Sequence, residues 1–156
     1  MLWVVFGPSA FDELVARQHG VISRAQCQAT GLTDAAIRVR LAGDRWQRLF
    51  DGVYATFTGP PSRTALFWAV LLYAGEEAVL SHESAAELAG LVDEPAPLVH
   101  VTIPAERRVR PARGVAVHRS NRAAVARQPT REPARTRVEE TVVDLPHEIS
   151  TTRSAG

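Results

Sequence analysis

The sequence predicts an α+β fold. Three observations carry that expectation. Short helix signals with their own caps crowd the first forty residues, two short apolar runs flank Asp51-Gly52, and two strand-like runs, Val99–Ile103 and Val115–His118, come late in the chain. At 156 residues there is room for one ordinary domain, or for a small head joined to a second compact unit. An apolar fraction of 46% is enough to build a core.

Ser9 is placed to cap the first helix, with Asp12 three residues on as its capping-box partner. Phe11, Leu14 and Val15 then keep the i, i+3, i+4 spacing of a core-facing stripe, and Gly20 ends it. Val21-Ile22 leads to Ser23 and Gln26, a second capping box that opens the helix Arg24–Ala29, stopped at Thr30-Gly31. Thr33 is the expected N-cap of a third helix, with Leu32 and Ile37 as its hydrophobic staple and Gly43 closing it. Trp46–Phe50 and Val53–Ala55 read as strands around a turn with hairpin chemistry. Three short helices and a hairpin predict a winged helix-turn-helix over residues 8–57. Gly59-Pro60-Pro61 marks a boundary. A small mixed α/β domain is expected over 62–145. Arg63–Ala74 is a helix apolar nearly all round, and Ser81 caps a helix through Ala89. The two late strands are joined by an exposed Arg- and Pro-rich loop, Ala105–Gly114. Ala123–Pro133 reads as a polar loop. A last helix over Arg137–Leu145 carries Val138, Thr141, Val142 and Leu145 on one face, and residues 146–156 read as a tail.

The net charge of +1 conceals a strong division along the chain. Residues 56–100 hold one Arg against six acids, for −5, whereas residues 101–137 hold ten Arg against two acids, for +8. That basic stretch reads as solvated or partner-docking rather than as a groove reader. All 18 basic residues are arginine. Without lysine there is no Walker A phosphate loop and no Schiff-base nucleophile. The five histidines are scattered, with no CxxC or HExxH spacing, so neither a metal nor another cofactor is expected. His82 is expected to make a local hydrogen bond at a helix start, and His100 and His118 to be neighbours across strands. No serine elbow supports a hydrolase triad, so no catalytic residue and no enzyme activity is expected. A lone cysteine, Cys27, and no apolar stretch of bilayer length point to a protein of the cytoplasm with no membrane partner.

With Ile37 and Leu41 inward, a step of about 100° per residue turns Val39 outward with Ala35 and Ala36 beside it. Arg38 and Arg40 flank this strip. Small apolar residues permit close approach to a major groove and contact with thymine methyls, and guanidinium groups reach phosphates or guanine edges. Thr33, at the helix N-terminus, suits a phosphate. On the hairpin, Arg45 and Arg48 suit the DNA backbone, while Trp46 is expected in the core. Double-stranded DNA is therefore the expected partner.

The run Leu14-Val15-Ala16-Arg17-Gln18-His19-Gly20-Val21-Ile22-Ser23-Arg24-Ala25-Gln26, followed by Gly31-Leu32-Thr33, Trp46 and Gly52-Val53-Tyr54, resembles the N-terminal domain of AbiEi-type antitoxins. Leu80-Ser81-His82-Glu83-Ser84-Ala85-Ala86, Val99-His100-Val101-Thr102-Ile103-Pro104, and Arg135-Thr136-Arg137 through Val143-Asp144-Leu145 resemble the following region of actinobacterial members, so that the likeness covers about residues 10–145. It implies a winged-helix head that represses its own toxin–antitoxin promoter, and a nucleotidyltransferase-type toxin as partner. It also implies relatives that run on past the last helix, some into a Vsr-like nuclease domain, so the second domain is expected to be incomplete. Two other readings stand beside it: a protein-interaction module, or the non-catalytic remnant of a nuclease-fused protein.

Overall fold

The computed structural model describes residues 7–145. Within them the chain is α+β, with seven helices and two three-stranded sheets. The first half runs α1 (Ala10–Arg17), β1 (Val21–Ser23), α2 (Arg24–Ala29), α3 (Asp34–Ala42), β2 (Gln47–Phe50) and β3 (Val53–Ala55). Both capping boxes form: Ser9 Oγ accepts from the Asp12 amide at 3.2 Å, and Ser23 Oγ from that of Gln26 at 3.1 Å. Each N3 side chain reaches back to its cap amide. Gly20, at φ +87°, turns the chain out of α1, and its carbonyl accepts from the Thr56 amide at 2.8 Å.

Val21 and Ile22 are more than a lead-in to α2: with Ser23 they form a strand that pairs antiparallel with β3, giving the sheet order β1-β3-β2. Three residues are too few to show a period of two, which is why β1 was illegible. The left-handed position after α3 falls not on Gly43 (φ −84°) but on Asp44 (φ +51°). The core of this half is Ile22, Cys27, Ile37, Trp46 and Tyr54, with Phe11, Leu14 and Leu41 packed on it. Burial pushes the Cys27 thiol up to about 11, so it is a packing residue at neutral pH.

The second half contains α4 (Arg63–Ala74), β4 (Val79–Leu80), α5 (His82–Leu88), β5 (Val99–Pro104), β6 (Val115–Ser120), α6 (Ala123–Ala126) and α7 (Val138–Asp144). Its sheet has the order β4-β5-β6, antiparallel then parallel. The apolar girth of α4 has a direct cause: Ala65 and Ala69 pack on Val21 and Val53 of the first sheet, while Phe67, Val70 and Ala74 join Leu80, Val101 and Ile103 of the second. One helix thus serves two cores.

Parallel neighbours are usually joined by a dozen or more residues, yet residues 105–114 connect β5 to β6 as a loop. Far from being merely solvated, this loop is tied over the end of α4: the Tyr73 hydroxyl donates to the Arg110 carbonyl, Val109 packs on the core, and the Arg107 guanidinium lies against Gly75. Gly75 has φ +106°, and a Cβ there would meet Arg107 Nη2 at 2.4 Å. With ψ 174° as well, the backbone is in a region essentially only glycine adopts, so Gly75→Ala is expected to lower stability by about 1–3 kcal/mol, read as a lower urea midpoint.

Two sequence expectations are corrected in this half. Ala123–Pro133 is not all loop: α6 lies in it, burying Ala123 and Ala126. On α7 the expected apolar face does not pack as a unit. Thr141 is buried, its hydroxyl bonded to that of Thr136 at 2.7 Å, whereas Val138 and Val142 are about half exposed. A polar pair, not the valines, docks this helix. The tail expected over 146–156 lies outside the described residues, and among those described no helix is long and apolar enough to cross a membrane.

Candidate nucleic-acid interface

The Thr33 side chain caps α3, its Oγ1 accepting from the Ala36 amide at 3.1 Å. Asp34 then anchors the helix start to α2. Arg24 donates to both of its oxygens, at 3.0 and 2.5 Å, and Gln28 Nε2 donates at 3.0 Å. The hydrogen bond from Arg24, then that from Gln28, holds the Asp34 carboxyl below its ordinary range. This clamp is exposed, so its role is to fix the angle of α3 rather than to supply much stability.

Ile37 is 3% exposed and Val39 60% exposed, the inward and outward positions that the helical period assigns. Ala35 and Arg38 are exposed and Ala36 half-buried. Arg40 departs from expectation. Its Nη1 donates to the Ala36 carbonyl at 3.1 Å and its guanidinium lies 5.5 Å from the centre of the Trp46 ring. Arg40 is three residues after Ile37 and so shares the inward side of the helix, where a stacking partner holds it. It does not rim the outer strip as Arg38 does.

Arg45 and Arg48 are exposed, and Trp46 is buried as expected. Between α3 and the β2–β3 turn lies a groove of about 490 Å³, with Arg38 and Arg48 among its lining together with Arg24, Asp34, Asp51 and Tyr54. Gly52, at φ +70°, closes the turn, and its carbonyl accepts from the Arg24 amide at 2.8 Å. Sequence reading missed Arg24 as a member of this groove. Its signal was its place directly after the cap Ser23, at the start of a helix that faces α3. Three arginines against two aspartates leave the groove with a net positive charge, suited to an anionic polymer. No protein-family model matches the chain, and no curated protein matches it. Among the described residues no group of three or more His, Cys, Asp or Glu is placed to hold a metal ion.

The histidine expectations resolve in the second half. His82 Nδ1 lies 3.0 Å from Ser81 Oγ, so the local hydrogen bond forms, and Ser81 holds the N-cap position of α5 through its carbonyl rather than its side chain. His100 and His118 do meet, Nδ1 to Nε2 at 2.9 Å, although each is paired in register with a different residue. Burial holds both imidazoles below their ordinary value, reinforced at His118 by the neighbouring His82 and His100 and opposed at His100 by the Glu83 carboxylate. Their folded values lie under the unfolded value of about 6.5, so their contribution is complete above that pH and is lost as pH falls through the folded values. The urea midpoint is expected to drop between about pH 7.5 and pH 5, and to drop less in His118→Gln; an equal drop in both proteins would refute it.

Proposed function

We propose that residues 8–57 are a winged helix-turn-helix and that the chain is a regulator binding double-stranded DNA. In this reading α3 enters a major groove and the β2–β3 hairpin lies on the backbone as the wing. The observation that carries it is the pairing of Arg38 from α3 with Arg48 from β2 across one groove, beside a Val39 left 60% exposed. The helix–strand–helix–helix–strand–strand order and the sheet order β1-β3-β2 support the same reading. An α-helix about 10–12 Å across with its side chains fits a major groove about 12 Å wide, and the small Ala35 and Ala36 on α3 permit close approach.

Contacts are assigned to Thr33, Ala35, Ala36, Arg38 and Val39 on α3, and to Arg45 and Arg48 on the wing. Arg40 acts by supporting Trp46. Residues 62–145 form the second domain. Autorepression of a toxin–antitoxin operon in the cytoplasm, with a nucleotidyltransferase-type toxin as partner, rests on the likeness of the sequence to AbiEi-type antitoxins. The function is binding rather than catalysis. The interaction-module reading draws on one observation, the exposed valines Val138, Val142 and Val143 on α7.

Fluorescence anisotropy with the chain's own upstream DNA and with a scrambled duplex, over a salt series, tests the proposal. The expected result is tighter binding to the upstream duplex and an affinity for both that falls steeply with salt. Equal, salt-independent binding to the two would sink it.

A further inference from the structure

His82 stacks on His118 where α5, β5 and β6 meet, and His100 joins His118 edge to edge through a 2.9 Å nitrogen contact. The His82 and His118 rings lie 3.8 Å apart at 14°, and His100 and His118 5.2 Å apart at 13°. Behind them Glu83 Oε2 sits 3.2 Å from His100 Nε2, within ion-pair reach but off the hydrogen-bond line and with no other partner. His82 itself has φ +49°. A left-handed histidine costs about 1–3 kcal/mol and persists only where its surroundings insist on it.

The proton positions follow from the acceptors. The Glu83 carboxylate favours hydrogen on His100 Nε2, which leaves a lone pair on His100 Nδ1. His118 Nε2 must then donate across the 2.9 Å contact, leaving a lone pair on His118 Nδ1. On the other ring, Thr102 donates to Ser81 Oγ at 2.7 Å, and in the tautomer where the Ser81 hydroxyl donates in turn to His82 Nδ1, 3.0 Å away, His82 Nε2 carries hydrogen. His82 Nε2 and His118 Nδ1 have no partner among the described residues. Both rings line one cleft of about 400 Å³, together with Arg119, Arg122, Glu140 and Asp144.

Stacked rings are a poor metal site, because in-plane lone pairs on nearly parallel rings do not converge on one ion at about 2 Å. Parallel rings do suit two oxygens of one anion, each taking one N–H, much as a guanidinium fork does. We propose that this cleft is an oxyanion site for a phosphoryl or sulfuryl group, held by His82 Nε2 and His118 Nδ1 with Arg119 beside them. His118 must take up a proton to donate from Nδ1, so binding is coupled to protonation.

The charges facing the cluster set the sense of that coupling. Glu83 lies behind His100, and Arg63 on α4 is held by Glu87 at 2.5 Å. Arg122 is held by Glu140 of α7 at 2.8 Å, leaving Arg119 opposite Asp144. The empty cleft is near neutrality while His118 is uncharged, and becomes cationic as it protonates.

Inorganic sulfate, a dianion across the working range, is the probe. Imidazole resonances of the full chain are followed by NMR during sulfate titration at about pH 5.5 and about pH 7.5. Saturable shifts of the His82 and His118 rings are expected, about tenfold tighter at the lower pH. Arg119→Ala, at an exposed position, is expected to weaken binding several-fold with the fold intact, and His118→Gln to remove its pH dependence. The proposal is overturned by shifts that never saturate, by equal affinity at the two pH values, or by unchanged binding in both variants. Saturation of the same rings by Zn²⁺ and not by sulfate would assign a metal site instead. None of these outcomes bears on DNA binding, since the α3 and β2 arginines are read out separately.

Discussion

Arg38→Ala combined with Arg48→Ala is expected to weaken binding to upstream DNA by about tenfold or more per arginine, corresponding to at least about 1.4 kcal/mol each. The two side chains stand on opposite walls of the groove between α3 and the hairpin turn, so each reaches a different stretch of the duplex and their losses should add. If both meet phosphates, the slope of log affinity against log salt falls by about 2, close to 0.9 for each lost contact. If Arg38 instead reads a guanine edge, the slope falls by only about 1 and the preference for upstream over scrambled DNA shrinks. Stability should hardly change, because both residues are exposed. Arg40→Ala should do the reverse. Its guanidinium covers Trp46 and bonds the Ala36 carbonyl, so the urea midpoint falls while the salt slope holds. A loss of DNA binding in Arg40→Ala equal to that in the double variant, at unchanged stability, would contradict the assignment of contacts.

That division between Arg38 and Arg40 marks where sequence reading reached its limit. The caps were legible because Ser9, Ser23 and Thr33 act on amides two or three residues away, and such local pairs survive in a linear string. The inward Ile37 and outward Val39 were legible from the 100° step. Arg40 was misplaced because nothing local says that an aromatic ring will lie within reach; Trp46 comes to it only after the chain turns at Asp44. The same reason hid β1, whose two buried residues gain their meaning from pairing with Val53–Ala55 more than thirty positions later. The meeting of His82 with His118 and the seating of Arg107 on Gly75 are likewise products of the second sheet. The valines of α7 failed in the opposite sense: they have helical spacing, but the packed contact at that helix is the Thr136–Thr141 hydroxyl pair.

Trp46→Ala is expected to unfold the first half of the chain at a denaturant concentration well below that of the parent. Trp46 is 7% exposed and stacks on Phe11 of α1 with centroids 5.9 Å apart at 3°. It also packs on Tyr54 of β3, at 6.2 Å and 34°, and carries Arg40 of α3 on its face. One ring therefore joins a helix that precedes the groove, the helix that forms one wall of it, and the strand behind it. Truncating a buried Trp costs about 3–5 kcal/mol, and the aromatic pairs add about 0.5–1.5 kcal/mol each beyond burial. Against a total stability of about 5–15 kcal/mol for a domain, that is enough to leave a large part of the head unfolded at modest denaturant. Trp46→Phe keeps the stack on Phe11 and should lose much less. DNA affinity should fall in Trp46→Ala with the folded fraction and recover with temperature lowered toward the stability maximum, whereas the loss in the Arg38/Arg48 double variant should not recover. An unchanged urea midpoint in Trp46→Ala would mean that α1 and α3 are held by other contacts, and the groove geometry built on this ring would have to be abandoned.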